Sequence, residues 1–361
     1  MTNNEQPSID IIFKRLAGTA IQRSERGRVA LLIKEDTTTE ILKYKLSTDI
    51  DGTKYTEANK KSIEDCFYGV PMEVTVIPVA SATETQDDNI NKALKYITAQ
   101  KIDYIGSNVK EYQDKIAQFV KEQEKLKKTY KAVVTQITTA SDCKCVIELE
   151  NAKVTFTGDR GEADALEYIP SLLGIFAGLS LSRSATYLEL KNLKEVSIID
   201  DVDTKIKNGK LCLINDEGLV RISTAVNSLT KIDADNPSVF TSIENVEAMH
   251  LIQNDLNTAF KAYIGAYKNT ADRQNNVLIP SINAYFDDLE DKEILDKTYD
   301  NKSLINIEEQ RKAWKAEKGD VVDAWTDKKV KNTPFHKSVF LKGDIKLNES
   351  IENIKFGIEL F

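Results

Sequence analysis

The chain has 361 residues, too many for one small core and suited to two or three domains. Its 41% apolar and 29% charged residues are ordinary for a globular protein. A net charge of -8 argues against non-specific binding to nucleic acid.

In chain order, MTNNEQPSID opens the sequence with polar residues and no apolar stretch of the kind a secretory signal carries. SIDIIF follows, with Ile9, Ile11 and Phe13 on one face of a period-two strand. A Gly- and Arg-containing connector, 16–28, holds Gly18 and Gly27 and reads as a flexible tether. From about 29 to 140 strands and helices alternate. VALLIK is a strand, then a helix near 56–67 starts at Thr56, MEVTVIPV (72–79) is a strand, and 88–101 is a helix. IDYIG is a short strand, and helix 108–127 carries Val109, Tyr112, Ile116, Phe119 and Val120 as one apolar stripe. KAVVTQI (131–137) closes the series, and the alternation predicts an α/β layer on a mostly parallel sheet.

A β-rich passage, 145–158, precedes a helix predicted over 162–179. Its apolar run YIPSLLGIFAGLSL (168–181) is shorter than a membrane span and carries Pro170, so a buried helix is expected and no direct membrane insertion. SIID (197–200) and KLCLIND (210–216) read as strands flanking a short helix that stops at Asn208-Gly209. Long helices are predicted over 241–268 and 276–291. The chain ends in NIKFGIELF, where Ile354, Phe356, Ile358 and Leu360 alternate with polar residues or glycine. Two readings of this strand stand side by side: a hairpin with SVFLKGDIKL (338–347), or an arm that adds to another subunit's sheet.

No catalytic constellation stands out. His250 and His336 are the two histidines, and neither sits in an H-E-x-x-H or G-x-S-x-G context. GDRG (158–161) lacks the rest of a phosphate loop and reads as a turn, and SRSATYLEL (182–190) reads as a structural loop. Cys66, Cys143, Cys145 and Cys212 show no framework spacing and are expected as buried free thiols, with no metal and no cofactor.

Several stretches together carry a resemblance. AGLSLSRSATYLEL (177–190), LINDEGLVRISTAVNSLT (213–230), MHLIQNDLNTAF (249–260), LIPSINAYFDDLE (278–290), LDKTYDN (295–301) and SVFLKGDIKL (338–347) occur in the order found in tail sheath proteins. The chain resembles the sheath of contractile phage tails and phage-tail-like bacteriocins, closest to the short sheath of defective-prophage type. The resemblance implies a structural protein and not an enzyme. It implies a subtilisin-like α/β core and terminal arms that add strands to neighbours. Its partners would be further copies in stacked hexameric rings, a tail tube protein, a baseplate, and terminator or collar proteins. The implied location is a virion or bacteriocin tail assembled in the bacterial cytoplasm. The alternatives are an intracellular α/β enzyme or ligand binder, and a tube or baseplate component.

On this basis the domains are expected as a first arm and linker (1–28), a small α/β portion (29–84), the sheath core (85–240), an α+β C-terminal domain (241–347) and a second arm (348–361). Ile9, Ile11, Phe13, Ile354, Phe356, Ile358 and Leu360 are the expected intersubunit arm residues, with Gly18 and Gly27 as hinges. Residues 311–337 hold eight Lys or Arg against four Asp or Glu, and Lys328, Lys329 and Lys331 are expected to face an acidic tube.

Overall fold

The structure, a computed structural model, describes residues 27–81, 86–234, 236–352 and 354–357. The described residues form two compact units, one from residues 27–250 together with the tail from Ser350, the other from Leu251–Glu349.

The first unit is built on β1 (Arg28–Lys34), β2 (Leu42–Tyr44), β3 (Glu73–Val79), β4 (Tyr104–Ser107), β5 (Lys131–Thr135), β6 (Val146–Leu149) and β10 (Lys210–Leu211). They form one sheet in the order β10-β6-β5-β4-β1-β3-β2. Only the β2–β3 pair is antiparallel. Parallel strands covered on both faces need apolar residues at successive positions, and RVALLIK supplies them. Val29, Leu31 and Ile33 face one core, and Ala30 and Leu32 face the other. The expected α/β layer with a parallel-rich sheet is therefore present.

On one face pack α2 (Gln86–Thr98) and α3 (Gln113–Lys125), which bury Ile90, Leu94, Ile97, Ile116 and Val120. On the other lie α1 (Glu57–Cys66) and α4 (Ile169–Gly178). Thr56 caps α1 by accepting from the Asn59 amide, as its place in the sequence predicts. The helix expected over 162–179 starts later. Gly161, with φ +72°, turns the chain into strand β8 (Gly161–Asp164), which pairs with β7 (Lys153–Phe156). Asp164 then accepts from the Leu166 amide, a short 3-10 turn follows, and α4 begins one residue before Pro170.

SIID is not a strand. The strand lies just before it, as β9 (Leu193–Val196), and Ile198 is exposed. The helix after it, α5 (Val202–Lys207), does stop at Gly209, whose φ is +72°. KLCLIND breaks at Cys212 into β10 and β11 (Leu213–Asp216), and β11 pairs with β12 (Leu219–Ile222) across the Glu217-Gly218 turn. Helix α6 (Ile243–Tyr263) spans the division between the units, because the first unit ends at His250.

The second unit holds the later part of α6, α7 (Ile279–Asp291), β13 (Lys302–Ile305), α8 (Ile307–Lys318), α9 (Asp327–Lys331) and β14 (Leu341–Asp344). β14 pairs antiparallel with β13. SVFLKGDIKL thus takes Lys302–Ile305 as its partner in the two-stranded sheet described here.

Helix α4 is buried nearly all round and carries glycines where it crosses backbone. A Cβ at Gly174 would run into the Cys66 carbonyl, and one at Gly178 into the Gly69 carbonyl. Gly174→Ala is expected to destabilise the protein by about 2–3 kcal/mol, measured as a lowered urea midpoint. An unchanged midpoint would mean that the two helices separate at no cost.

Glu35 is a second structural node. Its carboxylate is buried and accepts from the amides of Asp36, Thr37 and Thr56 and from the Asn59 side chain. Burial pushes its pKa up, but the bonds from Asn59, Thr37 and Thr56 outweigh that and bring it down to about 2. A depressed carboxyl contributes stability that is present above the unfolded value near 4.5 and lost as pH falls toward 2. Glu35→Gln is expected to flatten the fall in stability between those pH values, followed by urea unfolding at pH 5, 4 and 3. A fall as steep as wild type would remove Glu35 from the acid response.

Candidate functional site

The groups that carry chemistry are mostly committed to structure. His250, on the inner side of α6, is buried; its Nε2 lies 3.8 Å from Cys145 Sγ, and its Nδ1 has no partner among the described residues. The sequence places no histidine beside the CKC pair, since 105 residues separate Cys145 from His250. Burial, then the Lys131 and Lys144 ammonium groups, hold His250 well below the usual imidazole range. Cys66, Cys143, Cys145 and Cys212 are all buried and free, as expected. Among the described residues, no three His, Cys, Asp or Glu side chains are placed to hold a metal.

His250 belongs to a polar seam between the start of α6 and the strands beneath it. Lys131 Nζ lies 2.8 Å from Glu247 Oε1 and 4.7 Å from the centre of the Tyr104 ring, whose hydroxyl also donates to Glu247. Tyr104 and Lys131 are the first residues of β4 and β5, so the seam runs along the entry edge of the sheet. Lys144, paired with Glu124, flanks it.

A cleft of about 730 Å³ opens beside the GDRG turn. Its Arg160 stacks over Phe156 at 3.5 Å and pairs with Asp65 and Glu167. Burial pushes the Asp65 carboxyl up against the opposing pull of Arg160. The guanidinium is occupied by two carboxylates, which favours the turn reading over a phosphate cradle.

Of the expected assembly residues, Ile9, Ile11, Phe13, Ile358, Leu360 and Gly18 lie outside the described residues. Ile354 and Phe356 are 84% and 83% exposed, and Ile351 before them is 84% exposed. Gly27 is buried, its amide donates to the Ala177 carbonyl, and its own carbonyl accepts from the Met72 amide. A Cβ there would come within 3.0 Å of the Ala177 oxygen.

Lys328, Lys329 and Lys331 lie on α9, all exposed. Lys329 is placed over the Trp325 ring at 4.6 Å. Around them Arg311 pairs with Asp327, Lys315 with Asp320 and Asp323, and His336 with Glu317. Trp314 supports this face from beneath, with Trp325 and Phe335 rings 5.9 Å and 5.0 Å away. These four acids are the ones already set against the eight basic residues, so the local excess of positive charge persists, and Lys328 and Lys331 belong to its exposed part.

Comparison with known proteins finds tail sheath proteins. The chain is similar to the tail sheath protein of Clostridium phage phiCD119, 26% identical over 363 residues that cover 98% of this chain and 99% of that protein. Among solved structures it superposes on the sheath tail protein Lin1278 of Listeria innocua with a TM-score of 0.68 at 16% identity, covering 83% of this chain and 93% of that one. It also superposes on the helical sheath of the anti-feeding prophage in its contracted state, with a TM-score of 0.66 at 12% identity and coverage of 92% and 93%. No family model matches the sequence. Along its length the chain is thus similar to a phage tail sheath protein and shares the fold of solved sheath tail proteins, in line with the resemblance. The matched proteins are named as tail sheath proteins, none of them as an enzyme.

A buried neutral histidine makes the seam sensitive to acid. The unfolded chain takes up a proton near pH 6.5 while folded His250 does not, so stability falls as pH drops below about 6.5. His250→Gln is expected to reduce the slope of stability against pH between 6.5 and 5 by up to about 1.4 kcal/mol per pH unit. Urea unfolding at pH 7, 6 and 5 measures it, and an unaltered slope would show that His250 is protonated in the folded state.

Proposed function

We propose that this chain is the subunit of a contractile tail sheath. The observation that carries the reading is the similarity to a phage tail sheath protein along 98% of the chain, joined to the shared fold of contractile sheath subunits. In this reading, copies stack as six-fold rings around a tail tube, begin at a baseplate and end at a terminator or collar. The stack is assembled extended and contracts to drive the tube through a target envelope, with no cofactor and no nucleic acid involved. In this reading 29–84 is a small α/β portion, 85–240 is the subtilisin-like sheath core, and 241–347 is the C-terminal α+β domain.

The tail from 348 onward acts as the arm. Ile354 and Phe356 stand in solvent in the single chain, which favours a partner outside it over a local hairpin, and β14 already pairs with β13. Burying these two side chains in a neighbour yields about 3–6 kcal/mol before ordering entropy is subtracted. Ile9, Ile11, Phe13, Ile358 and Leu360 are proposed to join the same composite sheet. Residues 1–28 carry +2 and 343–361 carry -2, so their meeting is mildly favoured. Two assembly states of nearly rigid subunits need flexible links. Because Gly27 is bonded on both sides, the pivot of the first arm is assigned to residues before it, Gly18 among them.

Lys328 and Lys331, with Lys329 braced on Trp325, are the proposed contact to an acidic tube surface. Exposed pairs of this kind are worth roughly 0–1 kcal/mol each, and repetition around every ring adds them up while letting each one release.

The purified chain is expected to form tubular polymers under electron microscopy, and compact particles alone would overturn the sheath reading. Deleting residues 350–361 is expected to leave a soluble protein that melts within about 3 °C of the full chain, a shift below 1 kcal/mol, yet forms no tubes. Tubes of normal yield from the truncated chain would remove the arm from the mechanism.

A further inference from the structure

The tail leaves the first unit along a defined path. Ser350 donates twice to one carboxylate, from its amide to Glu244 Oε2 at 3.3 Å and from its hydroxyl to Glu244 Oε1 at 2.7 Å. Two residues later the Thr186 hydroxyl donates to Glu352 Oε1 at 2.7 Å. The same Thr186 oxygen accepts from the Ala225 amide at 2.9 Å, so its proton is left pointing to the tail.

Both anchors are themselves fixed. Glu244 lies in the first turn of α6, one turn before Glu247, which the Lys131 ammonium and the Tyr104 hydroxyl hold to the sheet. Thr186 lies in the SRSATYLEL loop, where the neighbouring Tyr187, at φ +61°, is secured by its amide to the Ile222 carbonyl and by its hydroxyl to Asp216. Polar tail residues are thus bonded to their own subunit, while Ile351, Ile354 and Phe356 next to them are left in solvent.

We infer that Glu244 and Thr186 form a clasp that aims the C-terminal arm, fixing the direction in which its apolar residues are presented to a second copy of this chain. The assembly part of this inference rests on the sheath reading, and the clasp itself does not. A free arm samples many directions and spends most of its time misaimed; a clasped one meets its partner with that ordering already in place. Glu244 and Thr186 act through the tail and are positioning residues.

The test reads two quantities on the full chain. Hydrogen exchange on the unassembled protein measures the Ser350 amide, and electron microscopy counts tubes against wild type. In Glu244→Ala the Ser350 amide is expected to exchange about tenfold faster, with the amides of β1, β4 and β5 unchanged. Glu244→Ala with Thr186→Val is expected to cut tube yield about tenfold at an unaltered melting temperature, and Glu244→Ala with Thr186→Ser to recover part of it. Thr186→Ser alone keeps the hydroxyl in place and serves as the folded control if the valine loosens its loop.

An unchanged Ser350 exchange rate in Glu244→Ala would overturn the clasp, whether or not tubes form. Faster exchange with normal tube yield in the double variant would overturn its role in aiming the arm. Absence of tubes from wild type itself would strike the sheath reading and the aiming role together, and the exchange result would still decide whether the clasp exists.

Discussion

The first unit depends on a contact of backbone with backbone. Helix α4 crosses the turn after α1 so closely that Gly69, Gly174 and Gly178 leave no room for a methyl group. Because the two segments touch without side chains between them, α4 sinks onto the sheet and buries Leu172, Leu173 and Phe176 against β1, β4 and β5. Gly106 on β4 makes the same concession, since a Cβ there would meet Leu173 at 2.8 Å. The last turn of α4 then receives the chain entering β1, through the bond from Gly27 to Ala177. A helix set this deep ties the entry of the sheet and both layers of one core to a single packing event.

Charge is distributed to match. Buried ionised groups are costly unless paired, and those of the first unit lie at the sheet's margins with partners assigned. Lys131 meets Glu247 at one end, and Lys210 meets Glu148 on the edge pair β10–β6. Glu35, at the other end of β1, gathers amide donors from the loop that follows it and from the cap of α1. These networks hold loops and helix starts in place while the apolar faces supply most of the burial. None of them converges on an open, reactive group, which accords with a structural role.

The tail carries apolar residues that have no place in the core of the single chain. An exposed apolar strand is an invitation to pair with any edge it meets. Here the polar residues on its near side are bonded to Glu244 and Thr186, and Ile354 and Phe356 project beyond them. On the second unit, Lys328 and Lys331 supply charge in place of apolar surface, on a face stiffened by Trp314 and Trp325. One surface is apolar and the other is charged.

Much of this was legible in the sequence because the signals were local. RVALLIK has to be a strand covered on both faces, Thr56 has to start a helix, and Asn208-Gly209 has to end one, since each follows from side-chain periodicity or backbone freedom within a few residues. The alternation of the last residues reads as an apolar strand, whereas residues 354–357 form no strand in the single chain, with Ile354 and Phe356 exposed. What the sequence left open was settled by groups far apart along the chain. Strand β8 displaced the start of a predicted helix because β7 offered it a ladder. SVFLKGDIKL turned from the terminal strand to Lys302–Ile305, and His250 came to rest beside Cys145, 105 residues away. Pairing and burial of this kind depend on which surfaces meet in space, and only the tertiary structure decides that.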